Sequence, residues 1–215
     1  MITLLIIDDH ELIREGIRRL LEDQAHISVL AQAASGEEAI RLAAELKPEI
    51  ILMDISMPGM GGLEATHRLL QMNPKQKIII LTAHTADPFP KTLLRAGAVG
   101  YISKNSGLSE MQTAIETIHK GKPYISPDIA QKLAIAALDP SNDSPFDRLS
   151  QRELQIIMLI SQGLRTQDIA KRLCLSPKTI STYRSRLMDK LSVPSVVELM
   201  KLAEQHGLNE QPIVS

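Results

Sequence analysis

The chain has 215 residues, 44% of them apolar, with three Tyr, two Phe and no Trp, so its core must be built from Ile, Leu, Ala and Met. This length allows one large domain or two small ones, the lone Cys174 excludes an internal disulfide and fits a reducing cytoplasm, and no apolar run approaches the roughly 18 residues needed to span a bilayer. The net charge of −1 hides an asymmetry: residues 1–120 carry 12 Lys and Arg against 15 Asp and Glu, whereas residues 146–208 carry 10 against 6, a basic rear suited to a polyanion.

Met1-Ile2-Thr3 runs straight into a strand-like segment without a basic leader region, and a cytoplasmic protein with no membrane partner is expected. Short aliphatic runs recur at Leu4–Ile7, Val29–Ala31, Ile50–Met53, Ile78–Leu81 and Val99–Ile102, the pattern of strands buried on both faces of a parallel sheet. Helical spacing lies between them, most plainly at Leu108, Met111, Ile115 and Ile118. Five strand-then-helix repeats predict an α/β domain, a doubly wound five-stranded parallel sheet over residues 1–119. In such a sheet ligands bind beyond the carboxyl ends of the strands.

Residues 120–145 read as a connector. Ser126-Pro127 predicts an N-cap and first helical residue of a short helix to about Leu138. The stretch from Asp139 to Pro145 has no apolar residue and two prolines, a flexible linker. Residues 146–208 then predict an all-α four-helix domain. Ser150-Gln151-Arg152-Glu153 is a capping box. Gly163 ends that helix, Thr166 caps the next through Leu173, Ser176-Pro177 opens a third to about Leu191, and Pro194 a fourth to near Gly207.

The chemistry gathers at the strand ends. The first predicted strand runs into Asp8-Asp9, the third into Asp54, the fourth into Thr82 and the fifth into Lys104. Each alone is ordinary: Asp8-Asp9 as a helix cap, Asp54 as a turn residue, Thr82 as a satisfied hydroxyl, Lys104 as a solvated lysine. Together on one sheet edge, three carboxylates repel one another unless a cation sits among them, and hard oxygen ligands with open water positions favour Mg²⁺. Asp54 is then a nucleophile toward a phosphoryl group whose oxygens the metal and Lys104 neutralise.

In the helix opened by Ser176, the residues Ile180, Tyr183, Leu187 and Leu191 share one face and should pack inward. The opposite face carries Lys178, Ser181, Thr182, Ser185, Arg186 and Asp189. A capped helix start with Lys178 in its first turn suits phosphate contact. A short helix, a tight turn at Cys174-Leu175 and a longer polar-faced helix form a helix-turn-helix arrangement. A protein-binding bundle shares that spacing.

Residues 1–119 resemble the receiver domain of two-component response regulators (CheY-like) through Asp8-Asp9, Met53-Asp54-Ile55-Ser56-Met57-Pro58-Gly59, Leu81-Thr82-Ala83 and Gly100-Tyr101-Ile102-Ser103-Lys104. The resemblance implies that a sensor histidine kinase phosphorylates Asp54. It implies that Asp9, Asp54 and the Ser56 carbonyl coordinate Mg²⁺, with Asp8 acting through water, and that Thr82 and Tyr101 form a switch pair. One departure is Asn105, where many receivers have proline after the lysine. His84 is expected to be a loop residue near the site. Residues 146–208 are similar to the LuxR-type DNA-binding domain through Leu149-Ser150-Gln151-Arg152-Glu153-Leu154, Ile160-Ser161-Gln162-Gly163, Asp168-Ile169-Ala170 and Leu175-Ser176-Pro177-Lys178-Thr179-Ile180. That similarity implies backbone contacts to double-stranded DNA from Lys178, Thr179, Tyr183, Arg184 and Arg186, with Ser181, Thr182 and Ser185 nearest the base edges. Small hydroxyls make no bidentate base contacts, so water and DNA shape should contribute to specificity.

In this order the two domains resemble the NarL/FixJ class, and within it the GacA/UvrY/LetA group. They imply a phosphorylation-controlled transcription regulator, a homodimer when phosphorylated, whose unphosphorylated receiver masks the DNA-reading helix. Two other classes compete. A phosphohydrolase would carry a second Asp two residues after the nucleophile, where Ser56 stands. A phosphorylation-independent DNA-binding regulator, with the receiver serving dimerisation, would need no carboxylate cluster.

Overall fold

The computed structural model describes residues 1–55, 57–82, 93–94, 97–138 and 145–206. Ser56, Ala83, His84, the linker residues 139–144 and Gly207 lie outside the described residues, as does most of the helix expected between the fourth and fifth strands. The described residues form two compact units that divide near residue 133.

The first unit contains β1 (Ile2–Ile7), α1 (Glu11–Glu22), β2 (Ile27–Ala33), α2 (Gly36–Leu46), β3 (Ile50–Asp54), α3 (Gly61–Met72), β4 (Lys77–Thr82), β5 (Gly100–Ser103), α4 (Leu108–His119) and β6 (Tyr124–Ile125), and α5 (Pro127–Leu138) follows. The aliphatic runs form strands for the reason their composition suggests: Leu4–Ile7, Ile50–Met53 and Ile78–Leu81 are fully buried, because helices cover both faces. On one face, Ile17 and Leu21 of α1 and Met111, Ala114, Ile115 and Ile118 of α4 pack on Leu4, Ile6, Ile50, Leu52, Ile79, Leu81 and Ile102. On the other, α2 and α3 pack against each other, α2 on β1 and β2 and α3 on β3.

The sheet is parallel throughout, in the order β2-β1-β3-β4-β5-β6. Six strands replace the five expected. The extra one has two residues, preceded by Pro123, and no aliphatic run announces it. It is made by long-range pairing: the Tyr124 N–H donates to the Val99 carbonyl at 3.0 Å and the Ser126 N–H to that of Tyr101 at 2.9 Å. The helix expected after Ser126 forms, but the Ser126 hydroxyl serves the sheet, accepting from the Ser103 N–H at 3.3 Å.

The second unit holds a 3-10 turn (Pro145–Arg148), α6 (Gln151–Ser161), α7 (Thr166–Arg172), α8 (Pro177–Leu191) and α9 (Val196–Gln205). The capping box is present at Ser150 and Glu153. The buried Glu153 carboxylate also accepts from Lys190 Nζ at 2.8 Å. Burial opposes its charge, but the Lys190 ammonium and the Ser150 donors outweigh that and hold its pKa below the ordinary glutamate value. Gly163, at φ +78°, follows the C-terminus of α6 in the left-handed region where glycine costs least. The expected cap at Thr166 is corrected: Arg165 is the N-cap and makes no side-chain cap bond. Thr166 is instead the first helical residue, its hydroxyl taken by a donor from the Arg184 guanidinium. Phe146 and His206 meet edge to face with ring centroids 5.4 Å apart. Among the described residues no helix is long and apolar enough to cross a membrane.

Candidate acidic site and basic helix

Parallel register sets the acidic site. Ile7 pairs with Met53, Asp54 with Leu81 and Thr82 with Ser103, so Asp8, Asp54, Thr82 and Lys104 end up at the same edge. Asp8 is 0% and Asp54 2% exposed, and Lys104 Nζ lies 2.6 Å from Asp8 Oδ2 and 3.0 Å from Asp54 Oδ1. Burial opposes the ammonium charge, yet the Asp54 and Asp8 carboxylates beside it outweigh this and raise its pKa above the ordinary lysine value. Lys104 is therefore held in its charged form more firmly than an ordinary lysine.

The backbone holds that lysine in place. Its own N–H donates to the Thr82 carbonyl at 2.6 Å. The turn beyond it explains why Asn105 suits a position where proline is common: the Asn105 N–H donates to Ser103 Oγ at 3.2 Å, a bond proline could not make. Thr82 is buried at the end of β4 and Tyr101 fully buried in β5. Behind Asp54, the Gly62 N–H donates to the Ile55 carbonyl at 3.1 Å. The first turn of α3 thereby lies against the end of β3.

Asp9 sits on the outer side, with its side chain 21% exposed. One ligand atom from each of Asp8, Asp9, His10 and Asp54 falls within 4.8 Å of the others. Three crowded carboxylates facing one ammonium leave excess negative charge, and their oxygen donors with a solvent-open side fit a hard divalent cation. Two participants were not singled out from sequence. His10 donates its N–H to Asp8 Oδ1 at 2.8 Å, and Arg14 donates from a guanidinium nitrogen to the Asp8 carbonyl at 2.6 Å. Adjacency to Asp9 could have flagged His10. Nothing in the sequence marks an arginine that binds a backbone carbonyl.

In the second unit, Ser176 caps α8, its hydroxyl accepting from the Thr179 N–H at 3.0 Å. Ser176, Lys178, Thr179, Thr182, Tyr183 and Arg186 line a shallow depression along the first half of that helix, with Lys178 in the first turn at the helix's positive end. Lys178, Ser181, Thr182, Ser185 and Arg186 are exposed, and Ile180 and Leu187 are buried. Tyr183 and Arg184 are half-buried. Arg184 is tied to Thr166, so part of its bonding capacity goes to joining α7 and α8. The Ser181 and Thr182 hydroxyls donate to the Pro177 and Lys178 carbonyls, both at 3.0 Å, which leaves them as acceptors outward.

Comparison with known proteins covers both units. Residues 4–116 match the response regulator receiver domain, and residues 147–203 match the luxR family of bacterial regulatory proteins. The chain is 50% identical to the response regulator GacA of Pseudomonas aeruginosa over 209 residues, 97% of this chain and 98% of that protein. It is 46% identical to the response regulator UvrY of Escherichia coli over 209 residues, 97% of this chain and 96% of that protein. Among solved structures, a LuxR-family two-component response regulator from Aurantimonas is 41% identical at a TM-score of 0.61, spanning 64% of this chain and 98% of that one. The response regulator RcsB, solved in complex with DNA, is 25% identical at a TM-score of 0.60, spanning 94% of this chain and 98% of that one.

Proposed function

The chain belongs to the LuxR-type response regulators, DNA-binding transcription regulators of two-component systems, and from that premise we propose that Asp54 receives a phosphoryl group from a sensor histidine kinase in the cytoplasm and that α8 reads promoter DNA. The observation that carries the first half is the single ammonium of Lys104 shared between Asp8 and Asp54. An Asp54 carboxylate oxygen attacks phosphorus, the phosphorus–nitrogen bond to the kinase imidazole breaks, and the imidazole leaves with its electron pair. Asp9, Asp54 and the Ser56 carbonyl would hold Mg²⁺, with Asp8 acting through water. Bound there, Mg²⁺ neutralises charge on the phosphoryl oxygens.

Lys104, already charged and positioned, takes a phosphoryl oxygen, and the Thr82 hydroxyl donates to another while Tyr101 holds the space behind it. Slow hydrolysis of the acyl phosphate resets the switch, and that is the extent of the catalysis. A phosphorylated homodimer would present two copies of α8 to successive half-sites. The division of labour is residues 1–119 for phosphoryl acceptance and 146–208 for DNA, with 120–145 between them. The DNA-bound RcsB relative supports this reading of α8.

Acetyl phosphate with Mg²⁺ tests the acceptor. Intact-mass spectrometry should show one added phosphoryl group on the wild-type chain and none on Asp54→Asn. No adduct on the wild type would favour the phosphorylation-independent regulator instead.

On the DNA side, Lys178→Ala should weaken binding to specific and unrelated duplexes alike and flatten the slope of log K against log salt by about one unit, the loss of one phosphate contact. Fluorescence anisotropy over a salt series measures both. A change in sequence preference would show that Lys178 reads a base.

A further inference from the structure

We propose that Arg152 is a positioning residue for DNA reading: it sets the turn that aims α8, and so governs discrimination between sequences without touching DNA. This rests on the reading above that α8 reads promoter DNA.

Between α7 and α8 the chain turns through Cys174, whose φ of +52° lies in the left-handed region that a Cβ disfavours. The Cys174 N–H donates to the Lys171 carbonyl at 3.2 Å and the Leu175 N–H to that of Ala170 at 2.9 Å, the pair of bonds that closes a Schellman motif. Arg152, from the first turn of α6, adds a third hold. One guanidinium nitrogen donates to the Leu173 carbonyl at 2.9 Å, and the other is steadied by Gln155 Oε1 at 2.6 Å. The peptide group joining Leu173 to Cys174 is therefore fixed at both ends, its oxygen by Arg152 and its N–H by the Lys171 carbonyl. A peptide group is planar, so these two bonds set the direction in which the chain leaves toward the Ser176 cap. The next residue along α6, Glu153, holds the last turn of α8 through Lys190. Two neighbouring side chains of α6 thus grip α8 at its approach and at its end.

Orientation matters because of what α8 carries outward. Ser181 and Thr182 are short, and both hydroxyls are bonded to carbonyls of their own helix, so they move only as the helix moves. Lys178 and Arg186 sit on long flexible stems, which keep hold of phosphates after a small rotation of the helix. Loss of Arg152 therefore falls on base reading and spares phosphate contact.

Fluorescence anisotropy over a salt series tests this on the full chain treated with acetyl phosphate and Mg²⁺, using two probes. One is a duplex enriched from a random-sequence pool by the unsubstituted chain, and the other is that duplex scrambled. Each variant is measured at a temperature at which circular dichroism shows it folded. Arg152→Met keeps the stem and removes the donors; it should weaken binding to the enriched duplex about tenfold, roughly the effect of one mismatched base pair. Affinity for the scrambled duplex and the salt slope should not change. Arg152→Lys keeps the charge but cannot hold Leu173 and Gln155 together, and should lose about threefold on the enriched duplex alone. Equal losses on both duplexes with a flatter slope would make Arg152 a phosphate contact and overturn the proposal, as would an unchanged preference in both variants. Lys178→Ala separates the underlying reading: if it alters neither affinity nor slope, α8 does not meet the DNA and both readings fall.

Discussion

Gly62→Ala is expected to destabilise the receiver unit by about 3–5 kcal/mol, at the far end of what single substitutions do. In an exposed helix the same exchange stabilises by roughly 0.5–1 kcal/mol, because alanine loses less backbone entropy on folding. At Gly62 the added Cβ would stand 1.8 Å from the Asp54 carbonyl oxygen, 2.7 Å from the Asp54 carbonyl carbon and 2.9 Å from Ile55 Cα. All three are backbone atoms at the end of β3, so no rotamer change relieves the contact. Either α3 or the strand end must retreat, and the Gly62 N–H bond to the Ile55 carbonyl is lost with it. Gly16 in α1 is the internal control, since a Cβ there meets nothing within 4 Å; Gly16→Ala should raise stability by about 0.5–1 kcal/mol. Urea unfolding followed by circular dichroism measures both. Whatever fraction of Gly62→Ala folds should label poorly with acetyl phosphate, because the displaced backbone is that of Asp54, the proposed acceptor. A cost below about 1 kcal/mol would show that the close approach is relaxed at little expense.

That glycine also marks where sequence stops being informative. Asp8, Asp54, Thr82 and Lys104 were readable because each ends an aliphatic run, and runs of that kind become parallel strands whose carboxyl ends share an edge. Gly62 belongs to no such pattern; its necessity arises from an approach between α3 and the end of β3 that exists only once both have folded. The same holds for β6, which owes its existence to carbonyls of Val99 and Tyr101 more than twenty residues upstream and shows no strand signal of its own. Thr166 looked like a helix cap because threonine ahead of an apolar period usually is one. Its hydroxyl is claimed by Arg184, eighteen residues later, and the helix start shifts by a residue. Local chemistry was legible, and so were faces: Ile180 and Leu187 inward, Lys178 and Arg186 outward. Partnerships across the fold were not, and these decide that Arg184 ties α7 to α8.

The second large effect is expected at Leu187. Leu187→Ala should cost about 2–5 kcal/mol through lost burial and the cavity left behind, since this side chain is fully buried on the helix that packs against α6, α7 and α9. A helical unit of this size has a small core, and typical domain stabilities start at about 5 kcal/mol. Much of the population should therefore unfold near physiological temperature, and DNA affinity should fall in proportion. The cause differs from that at exposed Lys178, whose loss should leave the melting temperature unchanged and remove only the proposed phosphate contact. Differential scanning calorimetry separates them: a lowered transition for Leu187→Ala, an unmoved one for Lys178→Ala. Phosphoryl acceptance supplies the decisive contrast. The described residues of the acidic site all lie in the first unit, so Leu187→Ala should still gain one phosphoryl group at Asp54 while its DNA affinity falls. Loss of labelling in that variant would mean that the first unit depends on the second for its folding.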